Sequence, residues 1–198
     1  MASSEINSFL EEQNLWDRFR AGDADAFSEL MKRYFRLLFR YGTRISPDPD
    51  FVKDCLQDVF FDLWEHRKTI GQPSAIKPYL LKAIRLRIFR EQGKWARHDE
   101  IEEGFQVEFS IETKLIDQQL AAETHEKLER LLNELPKRQK EILYLRFYEE
   151  LSHEDIARIM TMNRQSVYNL LHESIGKLRK KWHGEWALIG LFLLEIIN

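Results

Sequence analysis

The side chains best suited to chemistry in this chain lie between Arg164 and Lys181. Gln165, Tyr168, Asn169 and His172 recur at helical spacing, with Arg164 before them and Lys177, Arg179, Lys180 and Lys181 beyond. Short amides reach base edges while cations neutralise phosphates, which is what a helix in a DNA major groove requires. The plainer alternative is a helical hairpin with a solvated polar face. A second group lies in AIKPYLLKAIRLRIFREQGKW, residues 75–95, where Lys77, Lys82, Arg85, Arg87, Arg90 and Lys94 alternate with Tyr79, Phe89 and Trp95. Rings on which bases stack, set among cations that follow the backbone, suit a nucleic-acid single strand; a basic solvated helix is the alternative. A third stripe, Asp54, Gln57, Asp58, Phe61 and Glu65, is polar except for one phenyl ring. It suits a protein-docking surface, or it is one exposed apolar residue of no consequence.

These residues need helices to hold them. Ser152 with Asp155 three residues on is an N-cap with an acidic partner, and Ile156, Ala157, Ile159 and Met160 give that helix an apolar side. Asn163 is a second N-cap, leaving Thr161-Met162-Asn163 as the turn; Val167, Leu171, Ser174 and Leu178 then face inward. Upstream, Leu128, Leu131, Leu132 and Leu135 form one helix, and Pro136 opens another with Ile142, Leu143 and Phe147 inward. In the first half, residues 1–13 suggest a frayed lead-in, followed by an apolar stripe of Leu15, Trp16 and Phe19 that Gly22 ends. Asp23 caps a helix built on Phe27, Leu30, Met31, Tyr34 and Leu38, and SPDPD at 46–50 is a loop. Val52, Leu56, Val59, Phe60 and Leu63 predict a third helix core, and Leu80, Leu81, Ile84 and Ile88 a fourth.

A net charge of −3 over 198 residues argues by itself against a nucleic-acid binder, but its distribution argues the other way. Residues 76–97 hold seven Lys/Arg against one acidic residue, and residues 98–126 hold nine Asp/Glu against one Lys. Two basic ends around an acidic middle predict two modules and a tether. Cys55 is the only cysteine, so no intrachain disulfide can form, and a reducing, cytoplasmic setting is expected. The N-terminus has no secretory-signal pattern. The apolar stretch from Trp186 to Ile197 would span about 18 Å as a helix, short of a membrane core of roughly 30 Å.

Catalytic signatures are missing. There is no G-x-x-x-x-G-K-[ST] loop and no G-x-G-x-x-G; the six histidines show no i,i+4 pairing, and no carboxylate pair stands out. The expectation is a protein that is not an enzyme and uses neither cofactor nor metal.

Taken together, these segments resemble the extracytoplasmic-function (ECF, group 4) sigma factors of the sigma-70 superfamily over about residues 14–182. DCLQDVFFDLW (54–64) is similar to the helix such factors dock on the β′ clamp helices of RNA polymerase. KPYLLKAIRLRI (77–88) is similar to the helix that meets the melting minus-ten element. The segment 132–180, from LNELPKRQKEILYLRFYEE to ESIGKLRK, is similar to their minus-thirty-five-reading domain. The resemblance implies an all-α fold: sigma domain 2 at 14–97, an acidic flexible linker at 98–123, helix-turn-helix sigma domain 4 at 124–182, and an apolar tail at 183–198. It implies polymerase contacts by Asp54, Gln57, Asp58 and Phe61. Lys77, Tyr79, Lys82, Arg85 and Arg87 would meet the opened strand. Arg164, Gln165, Ser166, Tyr168 and Asn169 would enter the minus-thirty-five groove, with Arg138, Lys177 and Arg179 near phosphates. Core polymerase, including its β subunit, and promoter DNA are the implied partners, and the implied role is promoter recognition, melting and transcription initiation.

Three departures matter. Leu86 stands where the family usually has Asn, and leucine neither donates nor accepts, so minus-ten reading is weakened. Thr161 replaces a usual turn glycine. The tail, with Trp186, Leu191, Phe192 and Leu194, is an addition that either packs on the second domain or holds a partner. The alternatives therefore include a sigma factor brought to DNA through that tail by an anti-sigma regulator or a DNA-targeting effector, such as an RNA-guided nuclease-dead one. A helix-turn-helix regulator that is not a sigma factor and a polymerase-binding decoy are the others.

Overall fold

No glycine or proline interrupts residues 2–20. The computed structural model, which describes residues 2–95 and 127–182, shows one helix there, α1 (Ala2–Arg20). The expected frayed lead-in is thus helical: without a breaker before Gly22, the turns around Trp16 propagate outward. Cross-links hold the middle of α1. The Tyr34 hydroxyl donates to Glu12 at 2.6 Å, Gln72 bonds Gln13 at 2.8 Å, and the Trp16 indole donates to the Gly71 carbonyl at 3.3 Å. Burial and the Glu12 acceptor push the Tyr34 pKa up, so the hydroxyl stays a donor.

Gly22 takes φ +95°, a left-handed turn that favours glycine, and Asp23 then caps α2 (Ala24–Ile45) by accepting from the N–H groups of Asp25 and Ala26. Asp48 caps α3 (Pro49–Glu65) in the same way, with Pro49 in the first turn. The fourth helix, α4 (Ile76–Trp95), packs with α2 and α3. The predicted inward residues of α3 and α4 are all buried. On α2, Leu30, Tyr34 and Leu38 are buried while Phe27 and Met31 are half-buried. Closest approach occurs at Gly42, where an added methyl would stand 2.6 Å from Val52 Cγ1 and 3.3 Å from Ile88 Cδ1. An aromatic cluster seals the α1 side: Trp16 lies 5.1 Å from Phe19, and Phe27 lies 4.9 Å from Trp64 between ring centres.

The chain divides into two compact units between residues 103 and 104. In the second, residues 127–133 form α5, then α6 (Lys137–Leu143) continues into a π-helical turn (Tyr144–Tyr148), followed by α7 (His153–Ile159) and α8 (Arg164–Lys181). The π-turn interrupts what the pattern predicted as a single helix. Its wide bond runs from the Glu149 N–H to the Tyr144 carbonyl (3.1 Å), and the Tyr144 hydroxyl donates to the buried Glu149 carboxylate at 2.8 Å. Ser152 and Asn163 cap α7 and α8 as expected, accepting from Asp155 and Ser166 at 3.1 and 2.7 Å. Between those helices Thr161 takes φ +52°, so the turn adopts the left-handed geometry although a β-branched residue occupies it. There is no strand among the described residues, and no described helix is long and apolar enough to cross a membrane. The expected tether at 98–123 and the tail with Trp186, Leu191, Phe192 and Leu194 lie outside the described residues.

Candidate functional site

The α3 stripe is built by a split between two faces. Val52, Leu56, Val59, Phe60 and Leu63 are buried, which turns Asp54, Gln57, Asp58 and Phe61 outward, and all four are exposed. Phe61 is 65% exposed, next to acids and an amide on a helix anchored along its whole opposite side. An apolar ring held that far into water gains only when a partner covers it. Cys55, on the buried side, has its thiol pushed up to about 11 by burial, so it stays protonated and packs as a small apolar group.

On α4 the expected strand-contacting residues separate into different environments. Lys77, Lys82 and Arg85 are half-exposed. The Arg85 guanidinium lies 4.6 Å from the centre of the Phe89 ring, a cation against an aromatic face of its own helix. Tyr79 is half-buried, edge-on to Trp16 at 5.6 Å, and burial raises its pKa; much of its ring is committed to the core. Arg87 departs furthest from expectation. Its side chain is 16% exposed and is held by Asp58, Asp62 and Glu91, so a phosphate would have to displace carboxylates to reach it. Asp62 and Glu91 were not singled out in the sequence. An i,i+4 acid pair, Asp58 and Asp62, was the available signal, but nothing local said that a cation 25 residues away would face it.

A cleft of about 280 Å³ opens between α3, the following loop and α4; Asp62, His66, Ile70, Tyr79, Leu86, Arg87 and Arg90 are among its lining residues. Leu86, 40% exposed, gives it an apolar wall where a polar side chain would be needed for hydrogen-bonded readout.

In the second unit the inward set Val167, Leu171, Ser174 and Leu178 is buried, and the Ser174 hydroxyl is satisfied by the Leu170 carbonyl at 2.6 Å. That burial presents Arg164, Gln165, Tyr168 and Asn169 to solvent, with Ser166 half-exposed at the helix start. The polar groups are partly paired with one another. Gln165 donates to Asn169 at 3.0 Å, Arg164 bonds Glu154 at 3.3 Å, and Tyr168, 56% exposed, stacks on His172 with ring centres 6.4 Å apart. These contacts are within the surface, so a ligand replaces them without exposing buried polar groups. Lys177 pairs with Glu173 at 2.9 Å, and that bond, with one from Gln139, lowers the Glu173 pKa. Arg138 and Arg179 are exposed on α6 and α8.

Comparison with known proteins agrees with this geometry. The family described as Sigma-70 region 2 matches residues 30–97, and Sigma-70, region 4 matches residues 125–178. The RNA polymerase sigma-E factor of Streptomyces coelicolor is 26% identical over 163 residues, covering 81% of this chain and 88% of that protein. The RNA polymerase sigma factor SigV of Bacillus subtilis is 28% identical over 149 residues, covering 74% and 82%. Two solved structures share the fold. CnrH in complex with the cytosolic domain of CnrY has a TM-score of 0.55 at 15% identity over 85% of this chain and 94% of the other. The sigma factor RpoE with the anti-sigma factor NepR from Bartonella quintana has 0.56 at 19% over 78% and 95%. With both regions present in order and on separate helical units, the chain belongs to the sigma-70 family, as a sigma factor of the extracytoplasmic-function type.

Proposed function

We propose that this sigma factor joins core RNA polymerase through α3 and directs it to promoters, where α4 favours the melted minus-ten strand and α8 enters the minus-thirty-five groove. The observation that carries the reading is Phe61, exposed amid Asp54, Gln57 and Asp58 on a rigid helix face. Such an aromatic among acids suits a basic, partly apolar partner surface, here assigned to the β′ clamp helices. Residues 14–97 form the docking and strand-capturing domain, 98–123 a tether, 124–182 the groove-reading domain and 183–198 an added tail.

On α4, Lys77, Tyr79, Lys82 and Arg85 face the opened strand, and the adjoining cleft accepts an unstacked base. Leu86 supplies contact there without a hydrogen bond, which makes minus-ten reading permissive. On α8, Arg164, Gln165, Ser166, Tyr168 and Asn169 meet the groove, while Arg138, Lys177 and Arg179 lie toward phosphates. The chain contributes no reacting group; polymerase makes the RNA, in the cytoplasm where core enzyme and DNA reside. An anti-sigma factor is a further partner, by analogy with NepR on RpoE.

Labelled full-length protein titrated with core enzyme tests the reading. Asp58→Lys and Phe61→Ala are expected to weaken association at least about tenfold with unchanged helical content, since central aromatic and charged contacts each carry about 2 kcal/mol or more. Equal binding by wild type and both variants would falsify the docking assignment. On premelted and duplex templates, the holoenzyme is expected to give transcript; a chain that only sequesters polymerase gives none on either.

A further inference from the structure

We propose that Arg87 is a positioning residue that ties α3 to α4 and aligns the docking acid Asp58, rather than a cation held ready for a DNA phosphate. The inference rests on the assignment of the α3 stripe as the polymerase-docking surface. Arg87 Nη1 reaches Asp58 Oδ2 at 3.4 Å and Glu91 Oε1 at 3.5 Å, and Nη2 donates to Asp62 Oδ2. Asp58 and Asp62 sit one turn apart on α3, while Arg87 and Glu91 sit one turn apart on α4. A planar guanidinium whose two ends bond successive turns of another helix fixes the register of the pair, which a point-charge ammonium does less well.

The burial pattern points the same way. The arginine side chain is 16% exposed and Glu91 18%, whereas Asp58 and Asp62 are 56% and 52% exposed. The cation lies inside and its α3 partners reach the surface, the reverse of a cation offered to a polyanion. Three carboxylates surround one guanidinium, so an incoming phosphate meets excess negative charge. Without Arg87, Asp58 and Asp62 repel each other at i,i+4 and the bond from Glu91 across to α3 through the guanidinium is broken, so the acid beside Phe61 loses its fixed orientation.

The test uses the full-length chain in three measurements: core-polymerase affinity without DNA, the salt dependence of holoenzyme binding to a premelted promoter, and amide exchange across α3. Arg87→Gln is expected to weaken core binding about fivefold, to leave the log–log salt slope unchanged and to speed exchange in α3; Arg87→Lys recovers part of the loss. Lys82→Gln, the control, leaves core affinity alone and lowers the slope by about one. A slope lowered by about one in Arg87→Gln with unchanged core affinity makes Arg87 a phosphate contact and overturns the proposal. So does unchanged or tighter core binding in Arg87→Gln when Phe61→Ala, measured alongside, binds weakly. If Phe61→Ala also binds normally, the docking assignment fails instead, and exchange across α3 decides the tie by itself: faster exchange upholds it, unchanged exchange removes it.

Discussion

The two basic helices proposed to meet DNA, α4 and α8, are organised in opposite ways. On α8 the outward residues stand clear of the core, and the contacts resolved among them are short-range: Gln165 with Asn169, Tyr168 with His172, Arg164 with Glu154 ten residues back. On α4 the corresponding residues are drawn into tertiary structure: Tyr79 against Trp16, Arg87 into the acids of α3. The difference teaches that similar cation content does not mean equal availability. A surface can be read from its own helix only when its side chains do not answer to a neighbour.

Breaking the aromatic support tests this most severely. Trp16, fully buried and the partner of Tyr79, is expected to cost about 3–5 kcal/mol when replaced by alanine. Thermal unfolding followed by residue-resolved signals should show the first unit destabilised while α8 amides keep their midpoint; an equal loss in both units contradicts the contrast. Gly42→Ala comes next. Overpacking against Val52 and Ile88 costs about 1–3 kcal/mol, and better helix propensity returns about 1, so a net loss on the order of 1 kcal/mol is expected in a denaturant titration.

The second unit offers the opposite sign. Thr161→Gly relieves a β-branched residue at φ +52° and is expected to raise stability by about 1 kcal/mol, read as a higher midpoint for the α7–α8 hairpin. The smallest effect concerns Asp23, whose pKa is held below its ordinary 3.8 first by the Ala26 N–H and then by Arg18. A depressed folded-state pKa means that its contribution is full above the ordinary value and disappears as pH falls through the lowered one. Asp23→Asn keeps a capping oxygen but removes the charge and its titration, so stability should fall slightly at neutrality, match wild type well below about pH 4, and the acid limb between should flatten.

Much of the scaffold was legible beforehand because its signals are local. Caps at Asp23, Ser152 and Asn163 act within three residues, and the stripes Val52–Leu63, Leu80–Ile88 and Val167–Leu178 repeat at the helix period. The α3 stripe and the α8 face were legible as the complements of those buried sets. Less legible was α1, whose helix begins at Ala2, because its outer turns carry no apolar period. The π-turn at Tyr144–Tyr148 also escaped: it is stabilised by a buried carboxylate five residues after Tyr144, and it buries Tyr144 and Leu145 while the expected inward Phe147 is only half-buried.

The amino-acid sequence alone determined the helical character of this sigma factor, the order of its two regions and which side of most helices faces inward. Periodicity and capping depend on residues within a turn or two of each other. Only the tertiary structure decided that Gly42 is the point of closest helix approach and that Asp62 and Glu91 belong with Arg87. Electrostatic pairing and packing act through space at a few ångströms, and no spacing along one strand of text encodes which distant turn will arrive there.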